Sequence, residues 1–118
     1  MDSRPHRKLN VWKKSMNFVK HVYQATETFP KSEIYGLSSQ MRRSAVSIPS
    51  NLAEGAARKG KKEFSQYLNI AQGSISEIDK QIELSFILNF IEKDVYNDLM
   101  DELNTISKML FGLSRSLK

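Results

Sequence analysis

The 118 residues include no cysteine, so the chain can form neither a disulfide framework nor a thiolate metal site, and a reducing compartment is compatible with it. Glycine and proline are scarce, at five and three, too few turn formers for a small β-sandwich, and helices become the expectation. No window approaches the roughly 18 consecutive apolar residues that a membrane span needs. The N-terminus, MDSRPHRKLNVWKK, carries charge without the apolar core of a secretory leader. Histidine is rare too: His6 lies near the N-terminus and His21 stands alone, neither in the Glu-x-x-His pairs by which di-iron bundles hold metal. Asp79 and Glu83 share a helical face without a histidine, and GAARKGKK lacks the terminal Ser/Thr and the strand context of a phosphate-cradling loop. No catalytic, cofactor or metal site and no small-molecule substrate can be named, and the chain is expected to be non-enzymatic, soluble and cytoplasmic.

What is present is an ordinary globular balance, 40% apolar and 26% charged, in the size range of one domain. The whole of residues 1–118 is read as that domain, with 1–8 a flexible tail. The net charge of +5 is unevenly spread: residues 1–62 carry 13 Lys/Arg against four Asp/Glu, and residues 63–118 carry five against nine. Such asymmetry fits either a footprint for a polyanion or head-to-tail attraction between copies.

Apolar residues recur at helical spacing four times. Trp12, Met16, Val19, Tyr23 and Thr26 form one stripe and Val11, Phe18, Val22, Ala25 and Phe29 another beside it, predicting a helix over 9–28 with Asn10 or the preceding residues capping its start and Pro30 stopping it. Ile34, Leu37, Met41, Ala45, Ile48 and Leu52 keep phase across Pro49, which argues for one kinked helix in which Ser44, Ser47, Ser50 and Asn51 satisfy freed backbone groups. The alternative is a new helix start, with Asn51 as cap and Glu54 as the capping-box acid. Phe64, Leu68, Ala71, Ile75, Ile78, Ile82 and Ser85 form an uninterrupted four-three seam predicting a helix over 61–90, roughly 45 Å at 1.5 Å per residue. Gly73 inside it suggests that another backbone comes close, with Ser44, Ala45 and Ser47 as neighbours. Leu99, Leu103, Ile106, Leu110, Leu113 and Leu117 make the last helix, with Asp94 as its cap. The fold class that follows is all-α: an up-down-up-down four-helix bundle, its second helix kinked at Pro49. LSFILNFI, residues 84–91, is apolar nearly all round, more than one bundle face hides; it needs a cap, the bundle end or a neighbouring subunit, and Tyr35, Tyr67 and Phe86 are either part of that contact or ordinary core.

LNVWKKSMNFVKHVYQATETFPKSEIYGLSSQMRRSAVSIPSNLAEGAARKGKKEFSQYLNIAQGSISEI resembles the bacterial 23S rRNA intervening-sequence proteins, also called S23-type four-helix bundle proteins. The densest part is QMRRSAVSIPSNLAEG followed by Arg58, Lys62, Glu63 and Phe64. The resemblance implies a four-helix bundle assembling as a homopentamer, without an established enzymatic activity. It also implies a looser similarity to the pentameric, nucleic-acid-binding accessory proteins of diversity-generating retroelements.

Two groups of polar residues stand out. Arg42, Arg43, Arg58, Lys59, Lys61 and Lys62 bracket the proline segment, with Arg4, Arg7, Lys8, Lys13 and Lys14 at the start of the first helix. They either contact the phosphates of RNA or DNA or form solvated faces, and no aromatic platform is interleaved with them for base stacking. Asn51, Glu54, Arg58 and Glu77 read as a structural polar network, with Arg58, four residues after Glu54, its closest partner. The leading functional expectation is an oligomeric bundle binding RNA or DNA through its basic surface; the alternative is an interaction module whose charge asymmetry serves self-assembly or protein partners.

Overall fold

Four α-helices make up most of residues 4–118, the part that the computed structural model describes: α1 (Asn10–Thr26), α2 (Leu37–Ala56), α3 (Lys61–Ile87) and α4 (Lys93–Ser116). Short 3-10 turns at Pro5–Lys8 and Lys31–Glu33 precede α1 and α2, and no strand occurs among the described residues. Each helix packs on its successor and α4 closes on α1, while the backbones of the diagonal pairs stay apart. Ser74 of α3 reaches Ser47 of α2, Tyr96 of α4 reaches Glu83 of α3, and His21 of α1 reaches Glu102 of α4. This is the four-helix bundle that the apolar spacing calls for, in a body of 43 × 27 × 22 Å.

The core is built from Phe18, Val22, Met41, Ala45, Ile48, Leu52, Leu68, Ile78, Ile82, Leu103, Ile106 and Leu110, all essentially inaccessible. Of the two α1 stripes, the one running Val11, Phe18, Val22 and Phe29 turns inward. The other lies along the outer groove toward α2, where Trp12 and Val19 are half-buried while Met16 and Tyr23 are 46% and 40% exposed. A helix with two neighbours buries only the arc between them, and the stripe of Val11, Phe18 and Val22 is centred on that arc.

α2 is helical on both sides of Pro49 without interruption, because the buried series Met41, Ala45, Ile48 and Leu52 keeps one face inward throughout. Asn51 is therefore not the cap of a new helix. Its side-chain amide donates instead to the Ser47 carbonyl (2.8 Å) and the Ser47 hydroxyl (3.0 Å), adding a bond two residues along from the donor that Pro49 lacks. The Glu33 carboxylate accepts from the Leu37 backbone N–H at 3.0 Å and so covers an open donor at the start of α2.

At the start of α1, Asn10 is the first helical residue and Leu9, just before it, occupies the cap without a side-chain bond. Two other expectations at helix ends need correcting. Asp94 lies inside α4 and accepts from Val95, while Glu92 is the cap. α3 ends at Ile87 rather than near Phe90, because Asn89 takes a left-handed backbone (φ 62°). The Phe90 N–H then reaches the Ser85 carbonyl (2.8 Å) and the Asn89 N–H the Phe86 carbonyl (3.0 Å), the paired bonds of a Schellman turn. Phe90 packs on Phe29, ring centroids 5.2 Å apart, and joins that turn to the end of α1.

The glycine expectation is also overturned. A Cβ on Gly73 would meet nothing within 4 Å, whereas one on Gly55 would lie 2.8 Å from both Phe64 Cδ1 and Tyr67 Cβ. The close approach of α2 and α3 therefore occurs at Gly55. Residues 84–91 divide: Ser85 and Ile91 are buried and Phe86 stacks on Tyr96 at 4.8 Å, but Leu84, Ile87 and Leu88 remain exposed. Of the expected tail, residues 1–3 lie outside the described residues. Pro5–Lys8 forms its 3-10 turn with the His6 ring 4.7 Å from Trp12 and the Arg7 guanidinium 5.6 Å above it.

Candidate nucleic-acid interface

The six cations expected to contact phosphate do not share one patch. Arg42 and Arg43 lie in the first half of α2 and Arg58 to Lys62 in the turn beyond its end, separated along the axis by about 20 Å at 1.5 Å per residue. Arg42 is engaged in the fold: its Nε donates to the Thr26 hydroxyl (2.8 Å), Nη2 to the Tyr23 carbonyl (3.4 Å), and its guanidinium lies 4.6 Å from the centre of the Tyr23 ring. It thereby covers the C-terminal end of α1, where a cation suits the helix dipole. Arg43 makes no hydrogen bond or ion pair and borders a small polar cavity with Gln40, Ser44, Ser47, Ser74 and Glu77.

Arg58 is engaged as well. It donates to Glu54 (3.1 Å) and to the Tyr67 hydroxyl (2.7 Å), with its guanidinium 5.0 Å from that ring. Glu54–Arg58 is thus the expected i,i+4 pair, and Tyr67 is its unforeseen third member. Asn51 belongs to a different chain of bonds, Asn51 to Ser47 and Ser74 to Ser47. Glu77 joins neither, and only the Gln81 amide approaches it, at 3.4 Å. The four residues read as one network form separate pieces along α2 and α3. Lys59, Lys61 and Lys62 are exposed, with no ion pair or hydrogen bond to their side chains.

Chain direction then gathers charge that the sequence keeps apart. The starts of α1 and α3 and the ends of α2 and α4 lie together at one end of the bundle. There Arg4, Arg7, Lys8, Lys13 and Lys14, the Arg58–Lys62 turn, and Lys108, Arg115 and Lys118 converge. The opposite end holds Glu27, Glu33, Asp79, Glu83, Glu92, Asp94, Asp98, Asp101 and Glu102 against Lys20, Lys31, Arg42, Arg43, Lys80 and Lys93, and is net acidic. At that acidic end the Tyr96 phenol, donating to Glu83 at 3.3 Å, titrates above its ordinary value of 10.0 because it is partly withdrawn from water and faces the carboxylates of Glu83 and Asp79.

Two other surfaces have distinct chemistry. The outer groove between α1 and α2 is lined by Trp12, Met16, Val19, Val46, Pro49 and Ala53 and is nearly all apolar. On the α1–α4 side, His21 Nδ1 lies 2.7 and 2.9 Å from the two oxygens of Glu102. Among the described residues, no group of three or more His, Cys, Asp or Glu side chains is placed to hold a metal, and no helix is long and apolar enough to cross a membrane.

The model of the 23S rRNA-intervening sequence protein family matches residues 7–112. The chain belongs to that family. Among solved structures, a protein of unknown function from the S23 ribosomal protein family of Bacteroides thetaiotaomicron shares the fold. It aligns with a TM-score of 0.79 over 88% of this chain and 97% of its own, at 24% identity. No curated protein matches the chain. The family match covers every helix except the last residues of α4, so the bundle just described is the family's fold carried by this sequence.

Proposed function

We propose that the protein is a non-enzymatic, self-associating helical bundle that binds RNA or DNA through its basic end. The observation that carries the reading is the gathering of unpaired cations, Lys59, Lys61 and Lys62 together with Lys8, Lys13, Lys14, Lys108, Arg115 and Lys118, at one end of the molecule, where no ion pair offsets them. Fixed cations on a rigid body release counterions when phosphates replace water around them, which gives affinity with little dependence on sequence. Arg42 and Arg58 leave the phosphate-contacting set, since each is already engaged within the fold. Self-association, for which the family resemblance implies five copies, multiplies the basic ends available to one strand.

Binding of a structured rRNA fragment measured across a salt series tests this. The expected result is an affinity falling steeply with salt, and a slope shallower by roughly two to three after charge reversal at Lys59, Lys61 and Lys62. Absence of binding at low salt, or indifference to the reversal, sinks the proposal. Light scattering tests the assembly, and a monomer at micromolar concentration contradicts it.

A second reading, an interaction module without nucleic acid, is favoured by the apolar groove of α1 and α2 and by the exposed Leu84, Ile87 and Leu88 at the acidic end. Under it, salt weakens the assembly itself and RNA has no effect on its mass.

A further inference from the structure

The C-terminal half of α4 carries an aromatic ring where solvent-facing helix surfaces ordinarily carry polar groups. Phe111 is 58% exposed. It stands three residues after Lys108 and four before Arg115, with Lys118 three further on, and all four side chains face solvent. Neighbours at such spacings on a helix have Cβ atoms about 5–6 Å apart, so the ring is flanked by cations on both sides. From Leu103 to Lys118 no acid occurs, and the side chains of Lys108, Arg115 and Lys118 make no ion pair or hydrogen bond.

The cations have an ordinary explanation, since positive charge near a helix C-terminus suits its dipole. The ring has none, because it neither covers the core nor contacts another ring. Next to it, Gly112 sits inside the helix, where glycine is unfavourable relative to alanine. A Cβ there would meet nothing within 4 Å, so packing does not require the glycine, and its effect is to leave the surface beside the ring low and open. An exposed π-face, free cations on either side and an open floor are the parts of a stacking platform for a single-stranded nucleic acid. A duplex buries its base faces and offers such a ring nothing to stack on.

We infer that the Lys108–Phe111–Arg115 stripe of α4, with Lys118 just beyond the helix end, is a base-stacking site that gives the basic end a preference for single-stranded over double-stranded nucleic acid. The inference rests on the nucleic-acid reading and narrows its ligand. Stacking on Phe111 holds a base while Lys108, Arg115 and Lys118 hold the adjoining phosphates, so ring and charges fail differently when removed.

The test uses a short labelled mixed-sequence RNA, alone and annealed to its complement, in fluorescence anisotropy with the full chain. Single strand is expected to bind more tightly than duplex. Phe111→Ala should weaken the single-strand complex by roughly 5- to 100-fold, the range of one stacked base, while leaving duplex binding, helix content and assembly mass unchanged. Phe111→Leu should be as weak as Phe111→Ala, and Phe111→Trp should restore binding. Charge removal at Lys108, Arg115 and Lys118 should weaken both complexes and flatten their salt dependence. Equal single-strand affinity for Phe111→Ala and the unaltered chain overturns the inference and leaves the proposed function standing, as does a loss that accompanies a fall in assembly mass. Absence of binding to either RNA overturns both.

Discussion

Replacing two helical glycines by alanine should move stability in opposite directions. At Gly73 the added methyl projects into open space, so the change removes conformational freedom from the unfolded chain and improves helix propensity without a steric penalty. A gain of about 0.5–1 kcal/mol is expected. At Gly55 the backbone is also helical, with no positive φ, and propensity gives a similar gain. There, however, the methyl would lie 2.8 Å from Phe64 Cδ1 and Tyr67 Cβ, well inside the roughly 3.5–4.0 Å of favourable carbon contact. The Phe64 ring can swing aside; Tyr67 Cβ is fixed to the α3 backbone, so α2 and α3 must separate. Overpacking of this kind costs about 1–3 kcal/mol, which outweighs the propensity gain. The two variants should differ by about 2 kcal/mol, measured by urea unfolding followed by far-UV circular dichroism at one protein concentration, because self-association would otherwise shift the midpoint. Equal stabilisation by both substitutions would refute the Gly55 contact. Destabilisation by Gly73→Ala together with a fall in assembly mass would mean that a neighbouring subunit occupies the space beside Gly73.

Arg42→Ala should cost about 1–2 kcal/mol through loss of its charged bond to Thr26 and its contact with the Tyr23 ring, whereas Arg43→Ala should stay within about 0.5 kcal/mol; the same unfolding assay compares them. Asn89→Ala should destabilise by about 1 kcal/mol and Asn89→Gly should not, since only the former strains the left-handed turn. Ultraviolet titration should show a late-ionising tyrosine that Tyr96→Phe removes. Because the folded-state pKa is raised, its contribution to stability is present at neutral pH and is lost as pH climbs past 10.0 toward the folded value.

The core was legible wherever periodicity alone decides it. The phase shared by Met41, Ala45, Ile48 and Leu52 carries α2 past Pro49, and the seam from Leu68 to Ser85 is buried residue for residue. What periodicity does not contain is the register between helices. Gly73 and Gly55 were distinguishable only once Phe64 and Tyr67 had been set opposite one of them. Arg42 looked like its neighbour Arg43 until packing brought Thr26, sixteen residues earlier, to its guanidinium. Asn89 was readable in principle, as the one residue in LSFILNFI that readily takes a left-handed turn, but the apolar run around it suggested continued helix. The charge pattern was legible as two halves of a chain and not as two ends of a body. Lys108, Arg115 and Lys118 belong to the acidic half by position, and antiparallel packing carries them to the basic end, with Phe111 among them.

That separation of charge has a kinetic side. A body 43 Å long with a large excess of cations at one pole and a smaller excess of carboxylates at the other experiences a torque in the field of a polyanion before any contact forms. It is turned while still diffusing, so fewer encounters are wasted on the wrong face. Charge changes at the poles should therefore register mainly in how fast complexes form, and changes to the ring on α4 mainly in how long they last.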